Sequence, residues 1–263
     1  MLSIFEDHYY TLEIKKREYD MKNVIIFQDF VNDVTYGHQW QERELFNYFK
    51  AQVDNSLQLG WNSNDIIIGT NLDFEYKDVQ IIRLEHECKF NKYFNKQFGI
   101  CELLEKELIT EPFWFHDFDD WSLRHFEFPS FTGEIGMCKY INGEQWNTGS
   151  IFVKPESVDI WRLIVDFMIE NQEHPDVDNK GDENIVNMVY HLYPEIRSRF
   201  SLLNNKYNVG CTQFDMRYYS AEQPICIGAF KPDHIGWKLF DNKDLLSDKL
   251  KSILVDHEIP LKG

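Results

Sequence analysis

The chain has 263 residues, 43% apolar and 16% aromatic, which is enough for a sizeable core and excludes wholesale disorder. Its formal charge of -17 repels polyanions at long range, so any nucleic-acid contact needs a local basic patch. The five cysteines, Cys88, Cys101, Cys138, Cys211 and Cys226, are widely spaced without a CxxC pair. They exclude a zinc knuckle or a disulfide framework and read as buried reduced thiols.

The N-terminus holds no uninterrupted apolar stretch of the kind a secretory signal needs. No run of about 18 apolar residues occurs, so no membrane span is expected. No repeat, low-complexity tract or linker divides the chain. The expectation is one soluble, cytoplasmic domain with no obligate protein partner.

Residues 23–28 (NVIIFQ) form a short continuous apolar run, as a buried strand does. Residues 38–59 predict a helix, with Leu45, Phe49 and Val53 at helical spacing and Gly60 near the end. Residues 65–69 and 79–84 predict two strands. Residues 90–108 predict a second helix, and Pro112 blocks its continuation. Residues 113–116 predict a fourth strand, which runs into Asp117, Phe118, Asp119 and Asp120. The order β-α-β-β-α-β predicts a mostly parallel sheet covered by helices on both sides. Ligands of such sheets sit beyond the carboxyl ends of the strands, which is where this acidic cluster falls.

Downstream, residues 126–140 are rich in aromatics and Gly and predict hairpin-like patches. Residues 150–153 (SIFV) predict a short strand. Residues 157–171 predict a helix, with Val158, Trp161, Val165 and Met168 on one stripe and Ser157 as its cap. Residues 183–193 predict another, with Asp182 at the N-cap. A last amphipathic helix is expected over 243–255.

Four segments carry candidate chemistry. The first is WFHDFDDW, residues 114–121. Clustered carboxylates repel one another, and a hard divalent cation removes that cost through oxygen ligands. An extended backbone would point Asp117 and Asp119 to the same side. An acidic surface loop is the alternative, opposed by the aromatic residues that flank it. The second is QWNTGSIFVKPES, residues 145–157, where Asn147, Thr148 and Gly149 read as a tight turn able to hold sugar hydroxyls. The third is GDENIVN, residues 181–187, whose Asp182 and Glu183 either serve the helix start or face a ligand. The fourth is ICIGAFKPDH, residues 225–234, where Gly228 permits close backbone approach and Lys231 suits a phosphate.

Taken in order, these segments resemble the donor site of GT-A-fold glycosyltransferases, most closely the glycogenin and galactosyltransferase-like group. That group carries a D-x-D at a strand end, an N-S-G strand, a D-Q pair opening a helix, and an H-x-x-G-x-x-K-P-W segment. The counterparts here are Asp117 with Asp119, then Asn147-Thr148-Gly149, then Asp182-Glu183, then Gly228 with Lys231-Pro232. The resemblance implies a Rossmann-like α/β domain, with residues 23–120 as the nucleotide-binding half, 121–242 as the acceptor-side half, and a C-terminal helix.

It further implies transfer of a sugar from a nucleoside-diphosphate donor, a UDP-sugar, with Mn²⁺ or Mg²⁺. Phe27, Gln28 and Asp29 would touch the base. Asp117 and Asp119 would serve the metal, with Asp117 also near the ribose. Asn147, Gly149, Gly228 and Lys231 would bind the donor, and Asp182 and Glu183 would be catalytic. An upstream lysine, Lys92 or Lys96, would assist. The departures are Ile225 where the group has its metal-binding His, Glu183 for Gln, and Asp233 for Trp. Asp233, His234 or water would then replace the missing ligand.

The Asn-, Phe- and Tyr-rich style resembles proteins of large DNA phages. That implies a hydroxymethylated pyrimidine in phage DNA as acceptor, in a host cytoplasm, through cations such as Arg197, Arg199 and Lys206. A glycan or a protein is the rival acceptor. Two further classes compete: a two-metal nuclease or phosphatase using Asp117 and Asp119, and a binding module in which the acidic cluster is structural.

Overall fold

The apolar run near the N-terminus forms a strand because both of its faces can be covered. A computed structural model describes residues 21–28, 42–140, 144–173, 181–210, 217–229 and 246–259. Strand β1 is Lys22–Phe27. Its alternate side chains enter two different cores. Val24 and Ile26 join one with Leu84, Phe98 and Ile164. Ile25 joins the other with Phe49, Val53 and Trp114. A strand buried on both sides therefore reads as a continuous apolar run.

Helix α1, Glu42–Gln58, follows. The predicted start at 38–41 lies outside the described residues. Gly60, at φ 102°, turns the chain after it. Strands β2 (Ile66–Thr70) and β3 (Gln80–Arg83) then add in parallel on one side of β1. Helix α2 covers Asn95–Glu105, after a 3₁₀ turn at Lys92–Phe94. It starts later than its apolar spacing predicted. The Asn95 side chain accepts from Cys88 N at 2.7 Å, and that of Asn91 from Tyr93 N at 3.0 Å. Such local bonds compete with helix. Strand β4, Phe113–His116, pairs in parallel with the opposite side of β1.

The second half supplies β5 (Asp120–Ser122), β6 (Ile135–Lys139), β7 (Trp146–Val153), α3 (Val158–Glu170), α4 (Asp182–Leu192), β8 (Phe200–Leu202), β9 (Val209–Gly210), the single turn α5 (Arg217–Ser220), β10 (Ile227–Ala229) and α6 (Asp248–Asp256). Seven strands form one sheet in the order β3-β2-β1-β4-β7-β6-β8, and β5-β10-β9 form a small second sheet. In the large sheet only β7 opposes the common direction. The expected α/β architecture, a mostly parallel sheet between helices, is the one observed.

Three local expectations change. The hairpin-like patches at 126–134 are irregular: Phe126 and Phe128 pack edge-on against Phe152, at ring distances of 6.0 and 5.7 Å. Ser157 does not cap α3, because its hydroxyl donates to Lys154 O at 2.7 Å. The last helix begins at Asp248, where the Ser247 side chain accepts from Leu250 N at 3.1 Å. Cys88, Cys101, Cys138 and Cys226 are free and buried, and Cys211 lies outside the described residues. Among the described residues no helix is long and apolar enough to cross a membrane.

Candidate active site

Strands β1 and β4 are neighbours, yet the helices leading into and out of this region lie on opposite faces. Phe49 and Val53 of α1 pack in one core, and Phe98 and Leu104 of α2 in the other. The sheet therefore has a topological switch between β1 and β4, where a crevice opens beyond the strand ends. Asp117 stands at that crevice, immediately after β4.

The acidic segment is a turn and not the extended backbone that would have pointed Asp117 and Asp119 to one side. Asp120 N donates to Asp117 O at 3.0 Å, and Asp117 N to Gly149 O at 2.8 Å. The turn achieves what alternation was expected to do. One carboxylate oxygen from each of Asp117, Asp119 and Asp120 lies within 4.8 Å of the others. Three convergent hard oxygen donors suit Mg²⁺ or Mn²⁺. Gly149 makes the approach possible, since a β-carbon there would sit 2.5 Å from Oδ2 of Asp120.

Lys96, in the first turn of α2, joins this cluster to the next. Its Nζ is 3.0 Å from Oδ2 of Asp117 and 2.7 Å from Oδ2 of Asp182, and donates to Thr148 O at 3.2 Å. Burial works against its charge, but Asp117 and Asp182 hold its pKa above the usual lysine value. Burial, opposed by Lys96 and reinforced by Asp182 and Asp119, raises the Asp117 carboxyl to about 7. A bound cation would favour the ionised form. Of the two lysines that sequence left as alternatives, Lys92 and Lys96, it is Lys96 whose ammonium lies beside Asp117 and Asp182; the Lys92 side chain is outside the described residues.

Asp182 is the first residue of α4, and Gly181 holds the N-cap position. Its carboxylate turns instead to Lys96, to the Thr148 hydroxyl and to Gln97 Nε2 at 3.2 Å. Glu183 accepts from the Tyr140 hydroxyl at 2.8 Å and from Asn147 Nδ2 at 2.8 Å. Burial, then the neighbouring Asp182, raises its pKa above the usual carboxylate range. Asn147-Thr148-Gly149 is not a turn but the bulged part of β7. Its register with β6 shifts there, from Met137 opposite Ile151 to Lys139 opposite Trp146. The Asn147 Oδ1 accepts from Gly149 N at 3.0 Å and from Asn208 Nδ2.

Phe27 and Gln28 end β1 at the same crevice. Phe27 packs against Phe49 at 5.7 Å, and Gln28 Nε2 donates to His86 O at 2.7 Å. Gly228 lies in β10, opposite Trp121 of β5, and so flanks the acidic turn. Asp29, Lys231, Pro232, Asp233 and His234 lie outside the described residues. Ile225, at the position of the missing His, is fully buried and offers its carbonyl to Arg124 Nε at 2.6 Å.

His116 sits behind the turn, stacked on Trp114 with ring centroids 4.0 Å apart. Burial pushes its pKa down to about 4, so it is neutral. The suggested basic patch is already engaged. Arg199 pairs with Glu134 and Asp159, Lys206 with Glu222 at 3.2 Å, and Arg197 donates to the carbonyls of Tyr190 and His191. Sequence reasoning also missed Gln52, Tyr140 and Asn187. The available signal for Gln52 was an amide on the apolar stripe of α1, next to Phe49 and Val53.

No family model matches the chain, and no curated protein matches it. Solved structures do. An active-site mutant of LgtC is 12% identical with a TM-score of 0.57, covering 90% of this chain and 96% of that one. The glycosyltransferase GlyE of Streptococcus pneumoniae TIGR4 is 14% identical with a TM-score of 0.56, covering 92% of this chain and 66% of that one. The galactosyltransferase LgtC in complex with donor and acceptor sugar analogs is 12% identical with a TM-score of 0.52, covering 88% and 96%. The fold of this chain is thus the GT-A glycosyltransferase fold.

Proposed function

We propose that this protein is a metal-assisted glycosyltransferase that moves a sugar from a nucleoside-diphosphate donor, a UDP-sugar, to an acceptor hydroxyl. The observation that carries the reading is the convergence of Asp117, Asp119 and Asp120 at the β1/β4 switch point, tied by Lys96 to Asp182. In the reaction the bond from the anomeric carbon to the diphosphate oxygen breaks, and a bond to the acceptor oxygen forms. A divalent cation held by the three carboxylates would stabilise the charge that develops on the leaving diphosphate. Lys96 fixes Asp117 and Asp182 relative to each other, and Lys231 is proposed to add positive charge at the diphosphate.

Asp182 is ion-paired to Lys96, which suits it to positioning. Glu183 is the better proton acceptor for the incoming hydroxyl, because burial raises its pKa. Phe27, Gln28 and Asp29 are proposed to hold the base, and Asn147, Gly149 and Gly228 the rest of the donor. A glycan hydroxyl is favoured as acceptor over modified DNA, since Arg199 and Lys206 are committed to carboxylates and the net charge is -17.

A thermal-shift panel of nucleotide sugars with and without Mn²⁺ tests this reading. A ligand at 100 times its Kd adds about 2.7 kcal/mol, or roughly 5–10 °C in Tm for a domain this size. A shift that needs both the UDP-sugar and Mn²⁺, and that Asp119→Ala abolishes, is expected. No shift with any donor sinks the proposal, and Mg²⁺-dependent phosphodiester cleavage in its place would point to a nuclease. Gel shift with hydroxymethylated duplex at low salt separates a DNA acceptor from a glycan.

A further inference from the structure

We infer that Gln52 is a positioning residue for the cation site, because its amide anchors the turn that carries the three carboxylates. The inference rests on the reading of that turn as a metal site. Gln52 lies on the buried side of α1 and is 1% exposed. Its Nε2 donates to Phe118 O at 2.8 Å and to Asp120 O at 3.0 Å. A side-chain amide nitrogen carries two hydrogens, so both are committed to one turn. The two carbonyls flank Asp119, one of the three converging carboxylates.

Elementary electrostatics gives the anchor its purpose. Three carboxylates held within 4.8 Å repel one another, and the repulsion acts to open the turn that presents them. Gln52 holds the backbone on both sides of Asp119 against that opening. It also satisfies carbonyls in an enclosed place, where an unpaired one is costly. The same helix adds the Tyr48 ring against Phe118 at 5.5 Å and against Trp121 at 6.1 Å. One helical turn on, Asn55 Nδ2 donates to Ser122 O at 2.8 Å. That bond holds β5 just past the carboxylates. Asn55 therefore offers a matched comparison: a buried amide on the same helix, bonded to the same segment, but outside the acidic turn. The anchor acts on metal affinity through geometry, as partners behind metal ligands do.

The test is titration of Mn²⁺ into the full metal-free chain, read by electron paramagnetic resonance of free Mn²⁺. It compares wild type with Gln52→Met, Gln52→Asn and Asn55→Leu, each checked for folding by circular dichroism. Gln52→Asn keeps the amide but is one methylene too short to span both carbonyls, so it carries the test if the Met variant fails to fold. Both Gln52 variants should weaken Mn²⁺ binding about 10- to 100-fold. Asn55→Leu should lower Tm while leaving Mn²⁺ affinity unchanged. Folded Gln52 variants that bind Mn²⁺ as wild type does overturn the inference alone, as does an equal loss in Asn55→Leu. A wild-type protein that binds no Mn²⁺ overturns both the inference and the metal-site reading beneath it.

Discussion

Gly149→Ala probes the site by adding one methyl group. A β-carbon at this position would lie 2.5 Å from Oδ2 of Asp120 and 3.3 Å from Oδ1 of Asn147. The residue sits in β7 without a left-handed backbone, so alanine meets a problem of space alone. Non-bonded contacts become comfortable at about 3.5 Å, which requires a displacement of about 1 Å at Asp120. Asp120 is 2% exposed and its carbonyl is held by Gln52, so its side chain has little room to retreat. Overpacking of this kind costs about 1–3 kcal/mol. For a chain of this size that is a fall in Tm of about 2–12 °C. The displaced carboxylate also leaves the acidic cluster proposed to hold the cation, so Mn²⁺ affinity should fall in parallel. Thermal unfolding and Mn²⁺ titration on the same preparation measure both effects. A variant that melts with wild type and binds Mn²⁺ equally well would falsify the claim that Gly149 makes room for Asp120.

Lys96→Met removes the cation between Asp117 and Asp182 and leaves two partly buried carboxylates facing each other, a loss of about 3 kcal/mol by urea unfolding. Added Mn²⁺ should recover part of it; full wild-type stability without metal would show that the bridge is dispensable. His116 gives the acid limb a defined sign. Burial lowers its pKa from 6.5 to about 4, so its contribution is intact above pH 6.5 and is lost as pH falls toward 4. The loss reaches about 3 kcal/mol, because the unfolded chain takes up a proton that the folded one refuses. Asp117, whose pKa is raised, acts in the opposite sense over the same range, so the contribution is read as the stability difference between wild type and His116→Gln in denaturant melts; a difference that is the same at pH 6.5 and pH 4 would contradict the assignment. Asn187→Ala deletes bonds to Trp146 N at 2.8 Å and Trp146 O at 3.2 Å, leaving a buried strand end unpaired. Chemical denaturation should show a loss of about 1–3 kcal/mol.

Much of the fold was legible because its causes are local. Apolar runs at β1, β2 and β4 and the helical stripes of α1, α3 and α4 sit in short windows, where periodicity reports burial. Two of the three errors have one form. Asn147-Thr148-Gly149 has turn chemistry by residue preference, but its neighbours, Ser150 paired with β4 and Trp146 paired with β6, hold it as the bulge of a strand. Asp182 has N-cap chemistry, but Lys96 and Gln97, from a distant helix, take its carboxylate. Ser157 likewise bonds back to Lys154 and not forward into α3. In the first two, a partner far along the chain outcompeted a nearby one.

The acidic cluster divides the same way. Sequence determined that three carboxylates follow an apolar strand where a parallel sheet places its ligands, and that a hard cation would relieve their repulsion. Only the tertiary structure decided that a turn makes them converge, that Gly149 leaves the space for Asp120, and that Lys96 and Gln52 hold the arrangement. The physical reason is distance along the chain. Lys96 and Asp117 are 21 residues apart, and Gln52 and Asp120 are 68 apart. No local pattern encodes such a meeting, because the packing of α1 and α2 on opposite faces of the sheet produces it.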